Sequence, residues 1–208
     1  MIERWGGDSR FESGALVLDF VNSTTDRHRT ARLWEDSLTD AFATLTWLRR
    51  REAFDETAFR ALMRIAASDA PAADAFMEDM RRLRAALARI FAAAIAGDAP
   101  EPADLACLDA TSAAARDQAR LVWGPAGLVR ASVAPEPVAL AHALRPVIAS
   151  AEALLTAERL TRVRVCASST CGWLFLDTSK NRSRRWCCME VCGNREKGRR
   201  RLRRERAA

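Results

Sequence analysis

The sequence predicts a mainly α-helical protein with a small β-hairpin or sheet in its N-terminal domain, followed by a short cysteine-rich module that ends in a basic helix. Three observations lead to this prediction. Apolar residues recur at spacings of three and four through much of the first 160 residues. Two cysteine pairs of equal spacing follow, and arginines dominate the end of the chain. We therefore expect one domain at residues 1–160 and a second at residues 161–208.

The first part of the chain holds one ambiguous segment and one clear helix. The run ALVLDFVNST at 15–24 is apolar and ends in turn-forming residues, so it is either a short strand or a buried helical turn. The segment 34–38 is typical of a helix start, with Asp36 or Ser37 as the N-cap. The helix that begins there would continue to the arginines at 49–51.

Three more helices are predicted in the next part of the chain. One occupies roughly 55–67. The next begins near Pro71, because proline is favoured at the first helical position, and ends at Gly97. Its apolar face repeats at helical spacing and consists of Phe76, Met80, Leu83, Leu87, Ile90, Phe91 and Ile95. The last of the three starts at Pro102.

The pattern changes at 119–135, where two short runs rich in β-forming residues flank the sequence Gly-Pro-Ala-Gly. This arrangement is typical of a β-hairpin. Pro135 and Pro137 then precede a long apolar periodicity, which predicts a helix at about 137–158.

Charge is distributed unevenly along the chain. Apolar residues make up 49% of the sequence and charged residues 29%, which is typical of a folded globular protein and excludes a disordered one. The net charge is +6, but residues 161–208 hold 14 Lys and Arg against 4 Asp and Glu, whereas residues 1–160 hold 19 against 23. A one-sided basic concentration of this kind indicates a polyanion as partner.

The sequence also bears on location. The N-terminus lacks a basic segment followed by an apolar one, so we expect no secretory signal, and no apolar run is long enough to span a membrane. We therefore expect a cytoplasmic protein that does not contact membranes. In a reducing compartment, clustered cysteines are metal ligands or reactive thiols more often than disulfides.

The cysteines form two matched pairs. Cys166 and Cys171 have the spacing C-x4-C, Cys187 and Cys192 repeat it, and 15 residues separate the pairs. Two such pairs around a short insert predict a closed tetrahedral site for one structural Zn²⁺ per chain, in a treble-clef-like or zinc-ribbon-like finger. Spacing alone leaves Cys188 as an alternative third ligand. Cys107 stands alone and is expected to be a core thiol.

The insert between the pairs supports this prediction. Residues 172–177 look like a strand, 178–183 like a polar turn, and 184–186 would return the chain to the second pair. A module with so few apolar side chains rarely folds alone, so metal binding would supply much of its folding free energy.

A strongly basic helix is predicted directly after Cys192. Between residues 195 and 206 lie eight Lys and Arg and two Glu, with Leu202 as the one large apolar residue. Nucleic-acid phosphates are the expected partner, and a solubilising tail is the alternative. Asn194 and Arg195, at the start of the helix, suit base edges. The other candidate nucleic-acid contacts are Arg182, Arg184, Arg185, Lys197, Arg199, Arg200 and Arg203.

These residues closely resemble the CGNR zinc finger. The resemblance runs through Cys166-x4-Cys171-Gly172-Trp173-Leu174-Phe175, Asp177-Thr178-Ser179, Arg184-Arg185-Trp186-Cys187, Met189 and Cys192-Gly193-Asn194-Arg195-x-Lys197. The segment from Gly14 to Ser23 resembles the start of the ABATE domain, which usually precedes that finger. Together the two resemblances cover nearly the whole chain.

The resemblance implies a stress-induced bacterial transcription regulator. In the family motif the third cysteine is followed by serine and then methionine, which aligns Cys187 with the ligand and places Cys188 where serine is usual. The finger would bind double-stranded DNA, and the N-terminal domain would bind a small-molecule effector or form a homodimer.

The sequence is also compatible with three other functions. An RNA-binding or ribosome-associated protein would stack bases on Trp173, Phe175 or Trp186. A redox switch would use Cys188 as a reactive thiol beside the metal. An enzyme would use the polar residues of the apolar run at 15–24, Asp19 and Asn22, but we expect these to bond local backbone at a turn and expect no catalytic residues.

Overall fold

The structure is a computed structural model, and it describes residues 13–23, 36, 38–115, 118–124, 127–133 and 139–207. Its helices are α1 (Leu16–Val21), α2 (Ala41–Arg50), α3 (Glu56–Ser68), α4 (Ala70–Ala96), α5 (Pro102–Ala115), α6 (Arg145–Leu155) and α7 (Asn194–Ala207). Its strands are β1 (Gln118–Gly124), β2 (Gly127–Val133), β3 (Val163–Val165) and β4 (Leu174–Leu176). The fold is mainly helical, with a small sheet and a cysteine cluster before the last helix, as predicted.

Aspartates cap three consecutive helices. The side chains of Asp40, Asp55 and Asp69 each accept a hydrogen bond from the backbone N–H three residues later, at the starts of α2, α3 and α4. The predicted cap of α2 is therefore wrong. Asp36 instead accepts from the Leu38 N–H and pairs with Arg84 of α4, while Ser37 lies outside the described residues.

The ambiguous run at 15–24 forms a helix and not a strand. Four of the six residues of α1 are fully buried, because α1 packs against α4 and α6 and contacts strand β4. The long helix α4 carries the predicted apolar face at the centre of the core. It ends at Gly97, whose φ of 83° is the left-handed conformation that favours glycine at a helix end.

The helix predicted at 137–158 is wrong in its first part. Leu140–Leu144 forms a 3₁₀ turn, and α6 begins only at Arg145. Pro146 accounts for this start, because it has no N–H to bond to the carbonyl four residues earlier, yet fits the first turn of a helix.

The predicted hairpin is confirmed as β1 and β2. The strands pair antiparallel from Gln118 opposite Val133 to Gly124 opposite Gly127. The two central residues of the turn lie outside the described residues. Trp123, near the turn, is 81% exposed.

A second small sheet joins β3 and β4 across the first cysteine pair. They pair antiparallel, with Arg164 opposite Phe175. The strand that pairs with β4 is therefore β3, because the turn between Cys166 and Cys171 brings the two strands together. Residue 185 contributes one hydrogen bond, from the Ala167 N–H to the Arg185 carbonyl (2.8 Å). No described helix is long and apolar enough to cross a membrane.

Candidate metal centre and basic helix

Four cysteine sulfurs converge where two local structures meet. Cys166 follows β3, Cys171 precedes β4, and Cys187 and Cys192 lie on either side of the start of a π-helical turn at Met189–Gly193. Their four Sγ atoms all lie within 4.8 Å of one another. The Sγ of Cys187 is 3.7 Å from that of Cys171 and 3.7 Å from that of Cys192.

This geometry fits a tetrahedral zinc site. A Zn–S bond of about 2.3 Å gives sulfur–sulfur edges of about 3.8 Å in a regular tetrahedron. The backbone also supports the site, because the Cys187 N–H donates to Cys166 Sγ (3.4 Å). Four thiolates close the coordination shell and leave no position for water, so the site is structural rather than catalytic. The chain is thus built to bind one zinc ion.

The thiols influence one another strongly. Hydrogen bonds from the neighbouring thiols lower the pKa of Cys166, and the bond from Cys171 has the largest effect. The hydrogen bond between these two thiols raises the pKa of Cys171. One sulfur of the group therefore ionises easily and further ionisation is opposed by the charge already present. A bound divalent cation removes this opposition, because it favours the thiolate form of every ligand.

A small aromatic core covers the site. Phe175 is fully buried, and Trp173 and Trp186 pack beside it against the cysteines. The Arg184 guanidinium lies 4.8 Å from the centre of the Phe175 ring and donates to the carbonyls of Trp186 and Cys187. The structure therefore places Arg184, a predicted nucleic-acid contact, against the metal centre.

Cys188 lies outside the four-sulfur group. Its side chain is buried, and its thiol donates to Glu190 Oε2 at 3.0 Å. Burial, together with the hydrogen bond to Glu190, raises the pKa of Cys188. The candidate redox thiol is thus a weaker nucleophile than the thiolate that the redox hypothesis requires.

Gly193 meets a steric requirement at the end of the π-helical turn. The N–H groups of Cys192 and Gly193 both donate to the Cys188 carbonyl (3.1 Å each). A Cβ at residue 193 would overlap Met189 Sδ, so a larger residue would displace that side chain.

The first turn of α7 is fixed to the turn between the first two cysteines. Glu196 Oε1 accepts from Ser168 Oγ (2.9 Å), from the Ser169 N–H (3.2 Å) and from Ser169 Oγ (3.3 Å). Arg195 donates to Thr170 Oγ1 (2.8 Å), and Arg199 donates to Ser169 Oγ and to Glu196. Nothing in the sequence singles out Glu196, because an acidic residue in the first helical turn is common in helices of every function.

These bonds change the role of two predicted base contacts. Asn194 donates to the Glu190 carbonyl (3.0 Å) and Arg195 to Thr170, so both polar groups stabilise the start of α7 in the free protein. Arg199 is engaged in the same way. Five other predicted contacts are exposed to solvent: Arg182, Arg185, Lys197, Arg200 and Arg203.

The two polar residues of the run at 15–24 have different partners. Asp19 accepts from the Ser13 N–H (3.2 Å) and lies 3.7 Å from the Arg51 guanidinium. Asn22 bonds to Leu174 in β4, 152 residues away. The expectation of purely local bonds is therefore wrong for Asn22.

Comparison with known families agrees with this architecture. The model of the CGNR zinc finger matches residues 162–205. The ABATE model, described as "Putative stress-induced transcription regulator", matches residues 14–158, which is more than half of the chain. No curated protein matches the sequence. The chain therefore belongs to the ABATE family and carries a CGNR zinc finger after the ABATE domain.

Proposed function

We propose that the protein is a zinc-dependent, double-stranded-DNA-binding transcription regulator of the bacterial cytoplasm. The zinc finger binds the DNA. The N-terminal domain binds a small-molecule effector or pairs two chains, because one short finger contacts few base pairs. The chain acts by binding and not as an enzyme. In support of this, Asp19 and Asn22, the polar pair considered as a catalytic site, are both engaged in hydrogen bonds within the fold.

One observation carries the proposal. The basic helix α7 begins two residues after the ligand Cys192 and is anchored through Glu196 to the turn between Cys166 and Cys171. Its exposed cations therefore have a defined position relative to the metal centre. A solubilising tail works by its charge alone and does not require a fixed position relative to the finger.

The contacts on α7 divide its cations into two groups. The side of the helix that carries Arg195, Glu196 and Arg199 faces the turn between Cys166 and Cys171. Lys197 and Arg200 are exposed to solvent. On a helix with 3.6 residues per turn, Lys197 and Arg204 lie on the side opposite the anchor, with Arg200 at its edge. We assign phosphate contacts to this exposed side, together with Arg182 and Arg185.

Burial of the aromatic residues favours duplex DNA over single-stranded RNA. Stacking on unpaired bases requires exposed rings. Phe175 is fully buried, and Trp173 and Trp186 are half-buried against the cysteine cluster. The Trp186 ring also lies under the Arg185 guanidinium, 5.6 Å from it. Phosphate contacts along a duplex therefore suit the finger better than base stacking does.

Binding of the full-length chain to fluorescent duplex DNA tests the proposal. We expect affinity to depend steeply on salt, because each phosphate contact releases condensed counterions. Replacing Lys197 and Arg200 together by alanine removes two such contacts and should reduce the slope of log affinity against log salt by about two. A strong chelator should abolish binding, and restoring zinc should recover it.

The matched control is the double variant Arg64→Ala with Arg81→Ala. Both arginines are exposed on the N-terminal domain, so this variant loses the same charge outside the finger. Equal weakening by the two double variants would reject a specific role for α7. Binding that is unchanged by chelation, or tighter binding to structured RNA of the same length, would reject the zinc-dependent DNA function.

A further inference from the structure

The N-terminal domain completes one edge of the zinc finger's sheet. Strand β4 bonds to β3 on one side. On its other side, Asn22 Oδ1 accepts from the Leu174 N–H (2.9 Å), and Asn22 Nδ2 donates to the Leu174 carbonyl (2.7 Å). The Leu176 N–H donates to the Ser13 carbonyl (2.7 Å). The Asn22 amide thus occupies the place of a peptide group in an additional strand.

The same two residues lie at the two ends of α1. Asn22 is the residue that ends α1, and Ser13 lies three residues before its first residue. Their side chains also bond to each other, from Asn22 Nδ2 to Ser13 Oγ (2.8 Å), and both side chains are almost fully buried. Strand β4 therefore holds both ends of one helix of the N-terminal domain.

The side chains of β4 are divided between two cores. Leu174 and Leu176 belong to the large core of the N-terminal helices, and so does Val163 of β3. Phe175, between them, belongs to the cluster that contains the four cysteines. Because side chains alternate across a strand, a three-residue strand contacts the metal centre on one face and the helical core on the other.

We propose that β4 couples metal binding by the four cysteines to the order of α1, through Ser13 and Asn22. The cysteine cluster has few apolar residues to hold Phe175 in place without the metal, so loss of zinc frees β4. A displaced β4 leaves the buried Asn22 amide without partners, which is costly and loosens α1. The inference does not depend on nucleic-acid binding.

The coupling is reciprocal by thermodynamic necessity. If zinc stabilises α1, then any change that orders or displaces α1 alters zinc affinity by the same factor. The N-terminal domain thus has a direct route to the finger, and ligand binding or pairing of chains near α1 would act on the finger through β4. Couplings of this type are typically 5- to 150-fold in affinity.

Hydrogen exchange of the full-length protein tests the first direction without any substitution. Amide exchange is measured with zinc bound and after removal of zinc by a chelator. We expect exchange in α1 to rise at least about fivefold relative to exchange in α3, which packs against α2 and α4. An equal change in α1 and α3, or faster exchange in the finger alone, overturns the proposal.

Zinc affinity of full-length variants tests the reverse direction. Asn22→Ala removes both bonds to Leu174. The isosteric Asn22→Asp removes the donor but keeps the size of the side chain, and it serves as the second variant should Asn22→Ala fail to fold. We expect zinc to bind at least about fivefold more weakly to either variant, measured by competition with a chromogenic chelator. The control is Asn181→Ala, an exposed asparagine within the finger itself. Equal affinities in all three variants overturn the proposal.

Discussion

Gly14 occupies a position where the N-terminal domain packs closely against the finger. Its φ is 85°, and a Cβ there would lie 2.9 Å from the Leu176 Cβ. Gly97 has nearly the same φ, 83°, but a Cβ there would meet nothing within 4 Å. Substitutions at the two glycines therefore allow two costs in stability to be measured separately. One is the cost of the left-handed conformation, and the other is the cost of a steric overlap.

We expect Gly97→Ala to lower the free energy of unfolding by about 1 kcal/mol, the usual cost of a left-handed non-glycine residue. Gly14→Ala should cost more, by an additional 1–3 kcal/mol or so, because β4 must also move away from its neighbours. Chemical denaturation of the zinc-loaded protein measures both values. Equal costs would show that the contact between residue 14 and β4 relaxes freely.

Asp104 provides a pH-dependent contribution to stability. Hydrogen bonds from Arg89, at 2.6–3.1 Å, together with its charge, lower the pKa of this buried carboxylate although burial opposes the shift. A carboxylate with a lowered pKa in the folded state stabilises the protein above its unfolded pKa of about 4, and the contribution disappears as pH falls through the folded value.

We therefore expect Asp104→Asn to lower the free energy of unfolding by about 1 kcal/mol at pH 7, a small value because Arg89 is largely exposed. The difference from the unmodified protein should shrink as pH falls below about 4. Urea denaturation over that range measures it. The control is Asp109→Asn on the same helix, an exposed position that should show no such trend. A difference that stays constant with pH contradicts the ion-pair explanation.

Helix α7 illustrates how an acidic residue can support a basic surface. Glu196 and Glu205 are both in α7, but Glu196 anchors the helix to Ser168 and Ser169, whereas Glu205 pairs with exposed Arg201. Replacing either by alanine raises the net charge by one. If charge alone mattered, both changes would strengthen binding to DNA.

We expect Glu205→Ala to strengthen DNA binding slightly or leave it unchanged, and Glu196→Ala to weaken it about three- to tenfold, because α7 loses its fixed position and exposed cations become mobile. Amide exchange in the first two turns of α7 should rise in Glu196→Ala only. Titration with duplex DNA at fixed salt measures affinity. Tighter binding by both variants would mean that the anchor does not matter.

Predictability from sequence differed between elements for physical reasons. Helices α3, α4 and α5 follow strong local patterns of apolar spacing, proline starts and a glycine end, so they were predicted closely. The start of α6 is harder to predict, because Pro146 lies within a long stretch of apolar periodicity that continues on both sides of it. The partner of β4 was missed, since three-residue strands pair according to how the chain turns around the cysteines.

The residues of the metal centre and the basic helix also differ in how well the sequence predicts their roles. The spacing of the four cysteines predicted a zinc site, because a tetrahedral shell of thiolates requires two short pairs. The roles of Glu196, Arg184 and Asn22 depend on partners 2 to 152 residues away. No local pattern distinguishes an arginine that covers the metal centre from one that is free to bind phosphate.

The whole molecule combines an acidic helical domain and a basic finger through a shared core. The leucines of β4 lie in the same cluster as residues of α2, α3 and α4. The finger therefore depends on the helical domain for part of its own core. A finger with a self-sufficient core would keep its zinc after the helical domain had unfolded.

Whether the finger holds its zinc independently can be measured by weakening the helical domain outside the cysteine cluster. Leu62 in α3 is almost fully buried, and Leu62→Ala should lower the unfolding temperature by roughly 5–15 °C through the cavity that it creates. We expect the temperature of zinc release to fall by the same amount, because unfolding of the helices removes the partners of β4. Circular dichroism follows the helices, and a chromogenic chelator follows the zinc. Leu105→Ala, at an exposed position on α5, should change neither temperature. Zinc release at the original temperature in Leu62→Ala would mean that the finger holds its metal independently of the helical core.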